Sequence, residues 1–145
     1  MSDPYKLFHT DVDLETKGVV IDYGDFWFRV ARAGGTNEKF NTRLRALFAP
    51  YRRAIETETM DPKLSDKLTT QAFLDSVLLE WGSTKHGPGK MVGREGEAIP
   101  FSKENANALF EDLPDLLNDL MRQSAKVSIF RTEIVERDSG NSSGS

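Results

Sequence analysis

Residues 61–81 contain more apolar side chains than one face of a surface helix can carry. Asp61 followed by Pro62 indicates a helix start, because the carboxylate can cap free N–H groups and proline suits the first helical position. A helix that is apolar over so wide an arc is normally surrounded by other elements. The sequence therefore predicts a helix over 61–81 at the centre of the core. Its apolar residues are Leu64, Leu68, Ala72, Phe73, Leu74, Val77, Leu78, Leu79 and Trp81.

A β-hairpin is predicted over residues 18–33. Two β-prone runs, 19–21 and 26–32, flank a short connection that contains Gly24. Alternation along the second run separates its side chains onto two faces. Because a lone hairpin is marginal in water, its apolar face has to pack on helices or on a strand of another chain. One face carries Phe26, Phe28 and Val30, and the other carries Trp27, Arg29 and Ala31.

Two further helical regions are predicted, over residues 37–57 and 102–136. Apolar residues recur at spacings of three and four along the first, which places them on one stripe. Pro50 lies inside this pattern and predicts a kink or a break near residues 46–50, since proline removes a backbone hydrogen bond. Ser102 can cap the second region. A break is expected near residues 111–114, where Asp112 and Pro114 favour a new helix start.

Residues 82–98 show no apolar period, and four glycines lie between Gly87 and Gly96. This predicts a loop, longer than most connections in a compact domain. The fold class expected from these elements is mainly α with a small N-terminal β-hairpin (α+β), a compact helical domain of about four helices. Residues 1–17 are predicted to be a flexible arm, 18–136 a single domain, and the Ser- and Gly-rich residues 137–145 a disordered linker.

Composition excludes several classes of protein. A length of 145 residues suits one domain, and 19 basic against 23 acidic residues give a net charge of −4. This acidic balance argues against a nucleic-acid partner, which would favour a basic face. No apolar run approaches the ~20 residues that span a bilayer, so no membrane partner is expected. Cysteine is absent, which is compatible with a reducing cytoplasm.

No reactive constellation is visible in the sequence. His9 and His86 are the only histidines and lie far apart, and no carboxylates lie at ligand spacing, so no metal site is expected. The Gly-Lys pair at Gly89 and Lys90 is followed by Met91 instead of Ser or Thr, which excludes a phosphate-binding loop. We expect no catalytic residues and no cofactor. The sequence therefore predicts a protein that binds a partner and is not an enzyme.

Five residues are candidate contacts with a protein partner: Trp27, Arg29, Arg32, Met91 and Phe101. The first three belong to the aromatic hairpin, whose edge would suit self-association or pairing with another chain. The other two lie in or beside the glycine-rich segment. An ordinary reading also fits the hairpin, with half of it in the core and half on the surface. In the same way, the arginines of region 37–57 form either a solvated helix face or a contact for an acidic helix.

Several short segments occur in an order and spacing similar to those of one family of phage proteins. The order of a helix, Trp-Gly, an open loop, Pro-Phe-Ser and an acidic-Leu-Pro helix resembles the tail assembly chaperones of long-tailed bacteriophages, in their shorter, non-frameshifted form. The resemblance covers roughly residues 18–136. The segments are Ile21-Asp22-Tyr23-Gly24, residues 30–40, Glu80-Trp81, residues 99–105, Leu113-Pro114-Asp115-Leu116, and Phe130-Arg131 before Glu133.

The resemblance implies a late protein that acts in the host cell cytoplasm and is absent from the finished virion. Such proteins bind the tape-measure protein, a long helical chain, and keep it soluble while tail-tube subunits polymerise around it. In that family ribosomal frameshifting often yields a longer product that recruits the tail-tube protein. The alternative is a structural tail-completion or connector protein of the virion, which would use the hairpin to form a homo-oligomeric ring.

Overall fold

The computed structural model describes residues 3–9, 12–35, 37–126 and 130. A 3-10 turn, Ala49–Tyr51, joins two of the helices. The helices are α1 Pro4–Phe8, α2 Val12–Lys17, α3 Lys39–Phe48, α4 Arg52–Glu56, α5 Pro62–Ser76, α6 Lys103–Asp112 and α7 Pro114–Ser124. The strands are β1 Val19–Asp22, β2 Phe26–Val30, β3 Leu78–Ser83, β4 Gly87–Pro88, β5 Lys90–Val92 and β6 Ala98–Pro100.

The fold is α+β with two antiparallel sheets, so the predicted mainly α fold with a single small N-terminal hairpin is wrong. The larger sheet has the strand order β1-β2-β3-β4, and β5 pairs with β6 in the smaller one. The hairpin predicted over 18–33 is present, with Ile21 opposite Phe28. It does not stand alone, because β3 from the middle of the chain pairs with its second strand.

The helix predicted over 61–81 is wrong beyond Ser76. The helix ends there, and after Val77 the chain continues directly as β3. A short run that is apolar on every side fits a buried strand as well as a buried helix, so its period does not distinguish them. Pairing with β2 decides between the two, because it satisfies the backbone of β3 and places Trp81 opposite Phe28 in the core.

The loop predicted over 82–98 is wrong as well, since β3 extends to Ser83 and three further short strands lie within or across this segment. β4 folds back on β3, and the β5–β6 ribbon places Met91 opposite Ile99. Gly87 and Gly89 have φ values of 80° and 84°, which only glycine adopts readily, and they turn the chain between these strands. Gly89 N donates to the Trp81 carbonyl at 2.8 Å, which fastens the ribbon to the larger sheet.

The other helical regions agree with the sequence except in their bounds. A 3-10 turn interrupts the region 37–57 at Pro50, where a break was predicted. Leu113 separates α6 from α7 at the break predicted near 111–114. The end of the region 102–136, beyond Ser124, lies largely outside the described residues, as does the whole predicted linker 137–145. The division into arm, domain and linker stays a prediction.

The core lies between the larger sheet and helices α5, α6 and α7. Phe28 is fully buried, and its ring centroid lies 6.2 Å from those of both Trp81 and Phe110. The N-terminal residues are attached to this core through α2. The side chain of Glu15 is fully buried and forms an ion pair with Arg32, at 2.5 Å between Oε1 and Nη1. None of the described helices has both the length and the apolar character needed to cross a membrane.

Candidate functional site

An open groove of about 1030 Å³ lies between α5 and α7. Both helices pack against α6, which separates them and contributes Asn107, Phe110 and Glu111 to the lining. The bond between Asp75 of α5 and Lys103 of α6, 2.9 Å from Oδ1 to Nζ, holds these two helices together. The groove is therefore a consequence of how three consecutive core helices are spaced.

Helical periodicity explains which residues face the groove. On α7 the lining residues are Pro114, Leu117, Asn118 and Met121, at spacings of three and four that place them on one stripe. The same spacing holds on α5. Its lining residues include Lys63, Leu64, Asp66, Lys67 and Thr70, together with Thr69. Each helix thus presents one continuous face to the space between them.

The groove has an apolar floor and a charged rim. Phe110 and Leu117, at 2% and 9% exposed, are the most buried of its lining residues, and Met121 of the lining is half-buried. Lys67 and Glu111 are exposed at the rim, so the rim carries both signs of charge. An apolar floor flanked by charges is the arrangement that binds the apolar face of an amphipathic helix.

Two hydrogen-bonded groups of ionisable side chains lie outside the groove, and each connects different parts of the fold: Tyr23 with Asp119, and Asp75 with Arg43 and Lys103. Burial, followed by the hydrogen bond to Asp119, raises the pKa of Tyr23. Burial alone would raise the pKa of Asp75, but the hydrogen bonds from Lys103 and Arg43 outweigh it and hold that pKa below its usual value. Within the described ranges, no group of three or more His, Asp and Glu residues could hold a metal ion.

Trp27 and Arg29 share the face of the larger sheet that points away from the helical core. Arg29 lies opposite Glu80 on β3, with 3.7 Å between Nε and Oε2. Val20 and Leu79 are 46% and 38% exposed. We call the surface formed by Val20, Trp27, Arg29, Leu79 and Glu80 the outer sheet face. The outer sheet face is a second candidate binding surface, because it exposes both apolar and charged side chains.

The other three predicted contact residues do not join Trp27 and Arg29. Arg32 pairs with buried Glu15 at the end of the hairpin. Met91 is 3% exposed and lies in the core, because pairing of β5 with β6 turns it inward. Phe101 is half-buried and packs edge-on against Trp81, with ring centroids 5.2 Å apart.

The sequence interpretation missed the groove. On α7 the groove stripe consists of Pro114, Leu117, Asn118 and Met121. The spacing of these four residues is the signal that would have identified the α7 side. Nothing comparable in the sequence shows that α5 and α7 stand apart.

The comparisons with known proteins give a family. A family model described as YdaY prophage protein matches residues 35–141, a region that contains every residue lining the groove. No curated protein and no solved structure gives a significant match. The match covers well over half of the chain. This chain therefore belongs to the YdaY prophage protein family and is of phage origin.

Proposed function

We propose that this protein is a phage tail assembly chaperone that binds the tape-measure protein and keeps it soluble while tail-tube subunits polymerise around it. The observation that carries the proposal is the groove between α5 and α7, which has an apolar floor and a rim of both charge signs. Membership of a prophage family supports the phage setting. The proposal assigns the chain no catalytic step, places it in the host cytoplasm and keeps it out of the finished virion.

The size of the groove supports a helical client. A helix with its side chains is a cylinder about 10 Å across that rises ~1.5 Å per residue, or roughly 120 Å³ for each residue. The groove volume of about 1030 Å³ therefore corresponds to two to three turns of helix. Apolar residues at spacings of three and four on such a segment would contact Phe110, Leu117 and Met121.

The composition of the groove also supports reversible binding. Phe110 and Leu117 are already largely buried, so a client covers limited additional apolar surface. The rim charges of Lys67 and Glu111 are exposed, where ion pairs contribute little to affinity. A small contact of this kind gives the modest affinity that polymerising tube subunits can displace by competition. In the same proposal, a longer frameshifted product would bring the tail-tube protein to the client.

Co-expression with the tape-measure protein of the same prophage tests the proposal. The wild-type chain should move the tape-measure protein into the soluble fraction and co-purify with it. Asn118→Trp fills the groove from its exposed rim, and Met121→Glu places a charge beside the floor, so both variants should lose this effect. Gln71→Trp is the matched control, because Gln71 is exposed on α5 and does not line the groove. If the wild-type chain leaves the solubility and recovery of the tape-measure protein unchanged, the proposal is wrong.

The outer sheet face favours a second candidate function, a structural tail-completion or connector protein. Val20 and Leu79 are exposed there, and β1 is one of the two edge strands of the larger sheet. Edge strands pair readily with other chains, which would suit assembly into a ring. Mass spectrometry of purified virions separates the two functions, because a structural component is present in stoichiometric amount and a chaperone is absent.

A further inference from the structure

Tyr5 and Phe8 of α1 are 80% and 69% exposed, more than the other exposed large apolar side chains of the described residues. They are three positions apart, so both rings lie on one face of this five-residue helix. Leaving two aromatic rings in water is unfavourable, and exposed aromatic side chains are common anchors in protein interfaces. α1 therefore has the character of a docking segment that lacks its receptor in the isolated chain.

The groove has the properties of that receptor. Its floor is apolar and aromatic through Phe110 and Leu117, and flexible Met121 can adapt its shape to an inserted ring. α1 is roughly 8 Å long, so it fits within a groove that would hold two to three turns of helix. We propose that α1 of one copy docks into the α5–α7 groove of a second copy, with Tyr5 and Phe8 as the anchors.

The partner is a second copy, because both halves of the contact are present on this chain and are apart within it. The exposure of Tyr5 and Phe8 shows that they are not in the groove of their own chain. Such a contact uses two different surfaces, so it joins copies head to tail and leaves a free α1 and a free groove at the ends.

The buried area sets the strength of the association. Two aromatic side chains bury roughly 300–500 Å² in total, below the ~800 Å² per partner of a standard stable interface. Self-association should therefore be weak and concentration-dependent. Since α1 and the proposed client use the same groove, self-association and client binding should compete. The inference uses the groove of the proposed function, but it does not depend on which client binds there.

Sedimentation velocity of the full-length chain, from about 1 μM to about 1 mM, tests the inference. The weight-average mass of the wild-type protein should rise with concentration to twice that of the monomer or more. The double variant Tyr5→Ser/Phe8→Ser and the groove variant Asn118→Trp should each stay monomeric. Ile55→Ser is the matched control, because Ile55 is also an exposed apolar residue, at 46%, and lies on neither surface. It should associate like the wild type.

Mixing the two monomeric variants gives a sharper result. The double variant retains the groove, and Asn118→Trp retains the two aromatic anchors of α1. Together they should therefore form a dimer and no larger species. Wild-type protein that is monomeric at every concentration, or a double variant that associates like the wild type, would overturn the inference. The inference and the proposed function can fail separately. The double variant keeps an intact groove, so it should still solubilise the tape-measure protein although it no longer self-associates. Wild-type protein that self-associates but leaves the tape-measure protein insoluble would refute the proposed function alone.

Discussion

The Tyr23 hydroxyl donates a hydrogen bond to Oδ2 of Asp119 at 2.5 Å, across 96 positions of sequence. Tyr23 lies in the turn of the β1–β2 hairpin, and Asp119 lies on α7 and also accepts a hydrogen bond from Arg122. The bond thus connects the N-terminal hairpin to the helix that forms one wall of the groove. Hairpin and helix should be stabilised together.

Tyr23→Phe should lower the free energy of unfolding by about 1 kcal/mol, because it removes a hydrogen bond to a charged acceptor that keeps other partners. Urea denaturation monitored by circular dichroism measures the change. Tyr5→Phe is the control, since the Tyr5 side chain is 80% exposed and its hydroxyl should contribute nothing measurable. Equal destabilisation by the two substitutions would contradict this account of the Tyr23 bond.

The same bond predicts a loss of stability in alkaline solution. Burial and the contact with Asp119 raise the pKa of Tyr23 above its ordinary value of 10.0. Because the unfolded chain gives up this proton first, the contribution of Tyr23 is complete below about pH 10 and is lost as the pH rises towards the folded-state pKa. The stability difference between the wild type and Tyr23→Phe should therefore shrink above about pH 10. A difference that is constant with pH would refute the assignment.

Asp75 predicts the opposite pH dependence. It accepts hydrogen bonds from Arg43 on α3 and Lys103 on α6, each at 2.9 Å, and these hold its pKa below the ordinary value of 3.8. The stabilisation is present above that value and is lost as the pH falls through the lower folded-state pKa.

Asp75→Asn should therefore destabilise the protein at neutral pH by about 1–2 kcal/mol and flatten its acid unfolding profile. Denaturation at neutral pH measures the first effect, and denaturation at several pH values below about 5 measures the second. Asp66→Asn, an exposed carboxylate on the same helix, should leave the profile unchanged. Parallel acid profiles for the wild type and Asp75→Asn would disprove the role of Asp75.

Gly82→Ala should destabilise the protein through a clash with Trp27. A Cβ atom at position 82 would overlap Cζ2 of the Trp27 indole, which crosses β3 at this point. Forcing the ring aside should cost about 1–3 kcal/mol and change the tryptophan fluorescence. In a Trp27→Ala background the same substitution should cost less. A double-mutant cycle with no coupling between the two positions would contradict this packing.

The elements predicted correctly from the sequence are those with strong local signals. Pro50 and Pro114 disrupt helical hydrogen bonding wherever they lie, and the alternation of Phe26, Phe28 and Val30 fixes the inner face of β2. β3 was not predictable in this way, because its apolar residues satisfy a helical pattern equally well. Its conformation depends on pairing with β2, about 50 positions earlier in the chain.

The candidate site was less predictable than the fold. The prediction of Met91 as a contact residue depends on its position in the glycine-rich segment, whereas the long-range packing of β5 on β3 buries its side chain. Trp27 and Arg29 were placed on one face correctly, since alternation along a strand is local. The groove arises from the separation of α5 and α7 in space. That separation is a property of three-dimensional packing that no single sequence window contains.

Because β3 pairs with the β1–β2 hairpin, a fragment of this protein needs both segments to keep the larger sheet intact. The family match begins at residue 35, so it leaves out β2. Phe28 of β2 nevertheless lies opposite Trp81 and packs against it in the core. A fragment trimmed to the matched region would expose that indole and one flank of β3 to water. Genetic exchange between prophages with a breakpoint near residue 35 would leave a viable product only if the incoming segment brought a replacement strand.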